Sequence, residues 1–585
     1  MRLPGRNAYT TGENGRYSED RMITRDARYL TDLDRCLPAA ALSPTPTRGR
    51  WRMLEYETEH FRGTLLTAGE ETLPPGVTYP LDVSGVHRIS IGLYGDCYNG
   101  DTVVQVRLTG DPAFTVLTLK EGPDRTLYDL YWKTADLTGR QITFVQLFDA
   151  FANGEGRMRR GRQAMIAYIK LEPVAEIERP RPEHQRLYAH NDAHGFTYLF
   201  GVTTPEEIYR EIEPYRNSDF SRLYWEAGMG DLLYYPGTVG RQLTCAGHDD
   251  FWKSNARIHA ESWRTMLANG VDQLRLAAEM THGIGLEFHA AYRMGGFRWP
   301  PPEDYWNGPG FFTEHPELRA VLRDGRRAER ISYSFPETRR FACSLLREVA
   351  ENYPIDGVCL IYVRRPPFVD YEPPLVDGFR AEFSLDPREL PEDDPRWLEY
   401  RCRVLTGFMR EVREEMDAVA RARGRKRLAI TAIVSGRREE NVRDGIKVED
   451  WIAAGTVDTL IPYTMAPGLD SSAVSFPDAR DAAYWAGLAK GTACEVPISV
   501  LPRFMTPEEY RRTAARYYGA GAETLFFWDC AYHAYYNQYA WNTMRRLGHR
   551  EEIAAWMQSG QPEMPAPTVP LLSLGGWNLA DDTPG

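Results

Sequence analysis

The chain has 585 residues, of which 43% are hydrophobic and 26% charged, and a formal net charge of −12. Those proportions are ordinary for a folded globular protein, and the length suffices for roughly two to four domains. The acidity argues against a nucleic-acid partner, which needs a basic face to displace counterions, and no apolar run reaches the length of a membrane span.

Residues 1–45 are rich in Arg, Asp, Pro and Thr and show no periodicity, so they read as an arm, with Tyr17, Met22 and Leu30 available to dock it. From 46 to 175 the pattern changes to short alternating runs broken by Gly, Pro and Asp: Val86–Tyr94, Thr102–Thr109, Phe114–Lys120, Leu127–Trp132, Gln141–Phe148 and Met165–Leu171. Period-two alternation at this spacing predicts an antiparallel β-sandwich. Its aromatic residues (Tyr94, Tyr98, Tyr128, Tyr131, Trp132) have the chemistry to stack on sugar rings, as in a carbohydrate-binding module. Packing in the core or at an edge is their more ordinary role.

Val174–Pro182 is a charged, Pro-rich connector. From 183 to 558 the rhythm becomes strand, helix, strand. Candidate strands are Arg186–His190, Arg222–Glu226, Gly285–Tyr292, Gly357–Val363, Leu428–Ser435, Thr459–Tyr463, Val496–Leu501 and Glu523–Trp528. Helical patterns lie between them, several opening on a capping pair such as Thr204-Pro205 or Thr506-Pro507. Eight strands alternating with helices predict an α/β fold, a (β/α)₈ TIM barrel behind the sandwich. Residues 559–585 form a Pro-rich tail whose apolar stretch Val569–Trp577 is expected to add a strand or cover a surface.

The eight cysteines are scattered without CxxC spacing, which favours free thiols. With a polar amino terminus, this sets the cytoplasm as the expected location, or the cell exterior if a leader preceded residue 1. Gly228-Met-Gly230 is not a dinucleotide fingerprint, so no cofactor is expected.

A barrel of this kind keeps its chemistry at the carboxyl ends of its strands. That rule collects His190, Asp192 and His194 from the first strand, and Glu226 and Asp231 from the second. The third gives Glu287, His289 and Arg293, and the fourth Tyr362 and Arg364. Tyr463, Arg503, Trp528 and Asp529 come from the later strands. Carboxylates do acid, base or nucleophile work on glycosidic bonds, rings stack on sugar faces, and arginines hold hydroxyls or acidic groups. Each has a structural alternative: Glu287 and His289 as a pair satisfying a polar interior, Asp529 as a helix cap. His190, Asp192, His194 and His289 as metal ligands form a weaker reading, and no metal is expected.

Four segments carry a resemblance. Gly285–Arg293 is similar to the "GLEVHAWFNPYR" strand of a bacterial family-ten-like glycosyl hydrolase family. Asn352–Pro366 resembles its "YDVDGIHFDYIRYP", Glu226–Tyr235 its "GDALYPS" and Val457–Tyr463 its "VDFIVPQ" segment. Members of that family include enzymes that cut glycan strands, so the resemblance implies a barrel hydrolase over about residues 220–470 and says nothing of the sandwich. Where the family carries an acid before Tyr in the fourth-strand motif, this chain has Ile361. Cys359 and Val363 share its face, an apolar wall expected to raise the pKa of a neighbouring carboxyl.

The resulting expectation is a glycoside hydrolase acting on a poly- or oligosaccharide, with Glu226 as general acid, Asp529 as nucleophile or base, and Glu287 assisting. Substrate contacts are expected from His190, Asp192, Asp231, His289, Arg293, Tyr362, Arg364, Tyr463, Arg503 and Trp528. The expected partner is a carbohydrate, with no nucleic acid or membrane, and a homo-oligomer is compatible with the sequence. The alternatives are a barrel that binds glycans without cutting them, because of Ile361, and a metal-dependent hydrolase or lyase.

Overall fold

A computed structural model of the chain describes residues 27–95, 101–120, 125–153, 156–242, 254–300, 304–464, 479–528, 537–559, 567–578 and 583–584. Eight strands pair in parallel around a barrel: Leu187–Asn191, Phe220–Met229, Glu287–Arg293, Gly357–Ile361, Ala429–Ser435, Thr459–Tyr463, Ile498–Ser499 and Leu525–Phe527. The first strand lies between the second and the eighth, and Leu460 N donating to Glu495 O (2.8 Å) ties the sixth to the segment entering the seventh. Strands four to six are apolar runs buried on both faces, which is why they were legible.

The helices follow from local chemistry. Thr204 and Thr506 cap Pro205–Tyr209 and Pro507–Gly519, each in a reciprocal box with the Glu three residues on. The long helix Pro395–Ala422 starts at a capping Asp394 and buries Trp397, Leu405, Phe408, Met409, Val412 and Met416, a stripe at helical spacing facing the barrel. Among the described residues no helix is long and apolar enough to cross a membrane.

The amino-terminal region is a two-sheet antiparallel structure. The four-stranded sheet is Val77–Tyr79, Ile142–Gln146, Thr102–Leu108 and Thr115–Leu119 in spatial order. The larger sheet runs Trp51–Thr58, Arg62–Ala68, Ala164–Pro173, Val86–Tyr94, Thr126–Asp136, and then Thr568–Leu574 from the far end of the chain. That last strand pairs back onto Trp51–Thr58, so the pairings return to where they began. Leu30 docks through Arg28–Leu30, which pairs with Ala164–Pro173; Tyr17 and Met22 lie outside the described residues.

Most of the described sandwich aromatics face the core. Tyr94, Tyr128 and Trp132 are buried, Tyr131 lies beneath Arg88 at 4.2 Å, and Tyr98 lies outside the described residues. Alternation turned Tyr94, Tyr128 and Trp132 inward, where apolar area is removed from water.

Candidate active site at the carboxyl end of the barrel

The barrel interior is stratified. At the amino-terminal end Arg222 is the hub of a polar plug: Nε donates to Glu287 Oε2 (2.7 Å), and Nη1 to Thr459 Oγ1 (3.1 Å) and Glu495 Oε2 (3.3 Å). Tyr188 donates to the same Glu495 oxygen (2.7 Å). Above this lies an apolar layer of Tyr224, Ala291, Cys359, Ile361, Ile433, Ile461 and Phe526. The expected wall around Ile361 is therefore present.

At the carboxyl end the centre is Glu226. A bulge follows it, because Glu226 pairs with Ala291 while Gly228 pairs with Tyr292, leaving Ala227 over. Gly230 follows at φ +57, and a Cβ there would sit 2.8 Å from Gly296 Cα, so the strand-two and strand-three loops touch backbone to backbone. Glu226 is fully buried. Its Oε1 accepts from Arg293 Nε at 2.8 Å and lies 3.3 Å from His190 Nε2. Its Oε2 has no hydrogen-bond partner among the described residues. Burial pushes the carboxyl pKa up, but Arg293 and then His190 outweigh it, and the net direction is down. That direction favours the ionised carboxylate and suits a nucleophile or base better than the expected proton donor: the guanidinium on its own oxygen counts for more than the apolar wall.

His190 stacks on Trp528 with ring centroids 4.1 Å apart, and Tyr463 lies 4.8 Å from Trp528 on another side. Arg364 and Arg503 bring their guanidinium carbons 5.5 and 5.8 Å from the Trp528 ring, and Arg503 also donates to Tyr463 Oη (2.9 and 3.1 Å). Seven of the expected residues (Glu226, His190, Arg293, Trp528, Tyr463, Arg364 and Arg503) thus gather at one rim. Asp529 lies outside the described residues.

Other expected residues stand elsewhere. Glu287 opens strand three opposite Arg222, four residues before the register of Glu226, so the two are separated by roughly 13 Å along the barrel. They are at opposite ends. His289 and Arg222 hold the Glu287 carboxyl down at about 2. His289 is buried beneath Tyr224, and burial together with Arg222 pushes its imidazole pKa down. Tyr362 points outward into the helix layer, its hydroxyl on Met409 Sδ (3.4 Å) and its ring against Phe368 and Trp451. Asp231 is spent on loop structure, accepting from Arg241 Nε (2.9 Å) and Phe312 N (3.0 Å). Asp192 turns the chain after strand one, accepting from Gly195 N (3.0 Å). Among the described residues no three His, Cys, Asp or Glu side chains are grouped to hold a metal ion; His289, deep in the barrel, is not with the other expected ligands.

The sequence reading missed a wall beside Asp192. His259 packs 4.9 Å from Trp306, His194 lies 5.8 Å from the same indole, and Thr197 hydroxyl meets His259 Nδ1. His259 occupies an ordinary position on the helix Ser254–Ala268 and carries no signal in the sequence.

No protein-family model matches the chain, and no curated protein matches it in sequence. Among solved structures it is similar to α-L-fucosidase isoenzyme 2 from Paenibacillus thiaminolyticus (14% identity over 63% of this chain, TM-score 0.39), spanning 50% of that protein. It is similar also to the PgaB (BpsB) glycoside hydrolase domain from Bordetella bronchiseptica (13% identity, 59% of this chain and 94% of that one, TM-score 0.40). A third is the Podospora anserina GH26-CBM35 β-(1,4)-mannanase (11% identity, 89% and 96%, TM-score 0.29). Similarity at this level carries no argument about activity.

Proposed function

We propose that the chain is a glycoside hydrolase acting on a poly- or oligosaccharide, with the ionised Glu226 as nucleophile or base. The observation that carries this is a fully buried carboxylate at the carboxyl end of a barrel strand, charged by Arg293 and His190, with one oxygen free of hydrogen bonds among the described residues. A carboxylate kept charged in a dry site is matched to attack on an anomeric carbon or to proton removal from water. Arg364 and Arg503 supply donors for sugar hydroxyls. Asp529, next after Trp528 in sequence, is the proposed second carboxyl, which by elimination takes the proton-donor role.

Glu226→Gln keeps shape and removes charge, so release of reducing ends from a susceptible polysaccharide should fall by at least about 10²-fold with binding retained. Near-normal turnover would end the assignment.

A second reading is favoured by Ile361 and by the complete burial of Glu226: a barrel that binds glycans without cleaving them. Binding on a polysaccharide panel with no new reducing ends from the wild-type protein would select it.

A further inference from the structure

A groove of about 650 Å³ lies on the same rim as Glu226, between the segment that follows strand three and the segment that follows strand four. Its floor is aromatic and fixed. Trp299 is half-buried, backed by Trp306 in a stacked arrangement (5.7 Å) and flanked by Phe297 (4.7 Å). The Trp299 backbone is clamped by Asn307, whose amide accepts from Trp299 N and donates to Trp299 O, both at 2.9 Å. An indole held this way needs little further ordering to receive a flat ligand face.

The groove is also positively charged. Arg330 is neutralised by Asp370 (2.6 Å), and Glu329 is engaged by Arg319 (3.0 Å). Arg298 and Arg365 have no acidic partner among the described residues, and Arg365 lies over Phe297 at 4.7 Å. Among the described residues these two guanidinium groups are uncompensated, a local reversal of sign on a chain of net charge −12. The groove and the site are linked through consecutive residues: Arg364 leans on Trp528, and Arg365 lines the groove. Gly295 fits against this ridge, since a Cβ on it would meet Arg364 O at 2.7 Å.

We infer that this groove is a second glycan subsite, on the same rim as the Glu226 site, which binds an anionic stretch of the chain through Arg298 and Arg365 with a sugar ring on Trp299. This rests on the reading of the Glu226 site as a carbohydrate site. A guanidinium fork matches a carboxylate or a sulfate ester equally, while the indole supplies the apolar face a sugar ring needs.

The test compares binding of three labelled oligosaccharides of matched length, an oligogalacturonate, a sulfated galactan fragment and a neutral xylo-oligosaccharide. The proteins are wild type, the double variant Arg298→Gln/Arg365→Gln and Glu226→Gln, with reducing-end release measured separately. Both arginines are at the surface, so the double variant should fold as wild type does. The expected result is that wild type and Glu226→Gln bind one anionic ligand at least about tenfold tighter than the neutral one, and that the double variant loses this preference. The choice between the two anionic ligands tells carboxylate from sulfate. Equal binding of all three ligands by wild type, or an unchanged preference in the double variant, would overturn the inference. Anionic binding without any hydrolysis would instead strike at the catalytic reading and leave the subsite standing.

Discussion

Arg293 donates from Nε to Glu226 Oε1 at 2.8 Å, and neither group is more than a tenth exposed. The pair bridges strands two and three at the register where strand two bulges, so the bulge, the salt bridge and the carboxylate are one local feature. A buried pair of this kind is weak as a source of stability, because desolvation offsets most of the attraction. Its consequence is the ionisation state of Glu226.

Removing Arg293 as Arg293→Met should therefore do two things. It strands a buried carboxylate and should destabilise the fold by about 3–5 kcal/mol in chemical denaturation at neutral pH. It should also reverse the direction of the Glu226 pKa shift. In the wild type that pKa lies below the ordinary value, so its contribution is fully present above the unfolded carboxylate pKa and is lost as pH falls through the folded one. The variant should gain relative to wild type on acidification, and the stability gap should narrow as pH falls from the variant's raised carboxyl pKa through the ordinary value of about 4.3 to the wild type's lowered one. A gap independent of pH would mean that Arg293 acts through packing alone.

Glu287 offers the contrasting case. Its side chain is about half exposed at the barrel floor, so Glu287→Gln should cost no more than about 1 kcal/mol. Its carboxyl is held at about 2, so that small contribution should be present above about pH 4 and fade as pH falls toward 2. Turnover should stay within about twofold of wild type, since the residue is roughly 13 Å from Glu226. A loss of turnover comparable to Glu226→Gln would return Glu287 to the chemistry.

These two glutamates show what the sequence could and could not disclose. The eight strands were legible because buried parallel strands read as apolar runs bounded by Gly and Pro. Glu287 and His289 do share a face, as alternation requires, but alternation gives the face and not the depth. Strand three begins at Glu287, just after Gly285 turns the chain at φ +85, and that start puts the carboxylate at the floor. Tyr362 could have been excluded: with Cys359 and Ile361 inward, its parity sends it outward. The sign of the Glu226 shift could not be read, because it depends on one guanidinium reaching across from another strand.

Trp528 should separate packing from orientation. Its indole covers His190 on one side and meets Tyr463 on another. Trp528→Ala removes both contacts and should cost about 3–5 kcal/mol. Trp528→Phe keeps a ring against His190 and should lose less stability. If the stack orients His190 against Glu226, turnover should follow the same order as thermal stability, with the Phe variant between wild type and Ala. Equal turnover in Phe and Ala variants of unequal stability would show that His190 holds its place without the stack.

The strand Thr568–Leu574 ties the end of the chain to its beginning. Thr568–Pro570 pairs with Thr126–Tyr128, Leu571–Leu574 pairs with Tyr56–Thr58, and Asp129 N and Leu571 N donate across the seam at 2.8 Å each. Val569 and Leu571 are buried in a cluster with Tyr56, Leu65, Leu127 and Tyr168. At about 1.5–3 kcal/mol for each side chain, their burial contributes roughly 3–6 kcal/mol before any hydrogen bonds. A chain ending at residue 566 also leaves Trp51–Thr58 and Thr126–Asp136 with open edges, which invite pairing between molecules. The barrel strands do not use this segment. The truncated protein should therefore show the sandwich melting below the barrel as a separate transition, proteolysis starting between residues 51 and 136, and a greater tendency to associate. A single transition at the temperature of the full chain would mean that the seam is ornamental and that the sandwich closes without it.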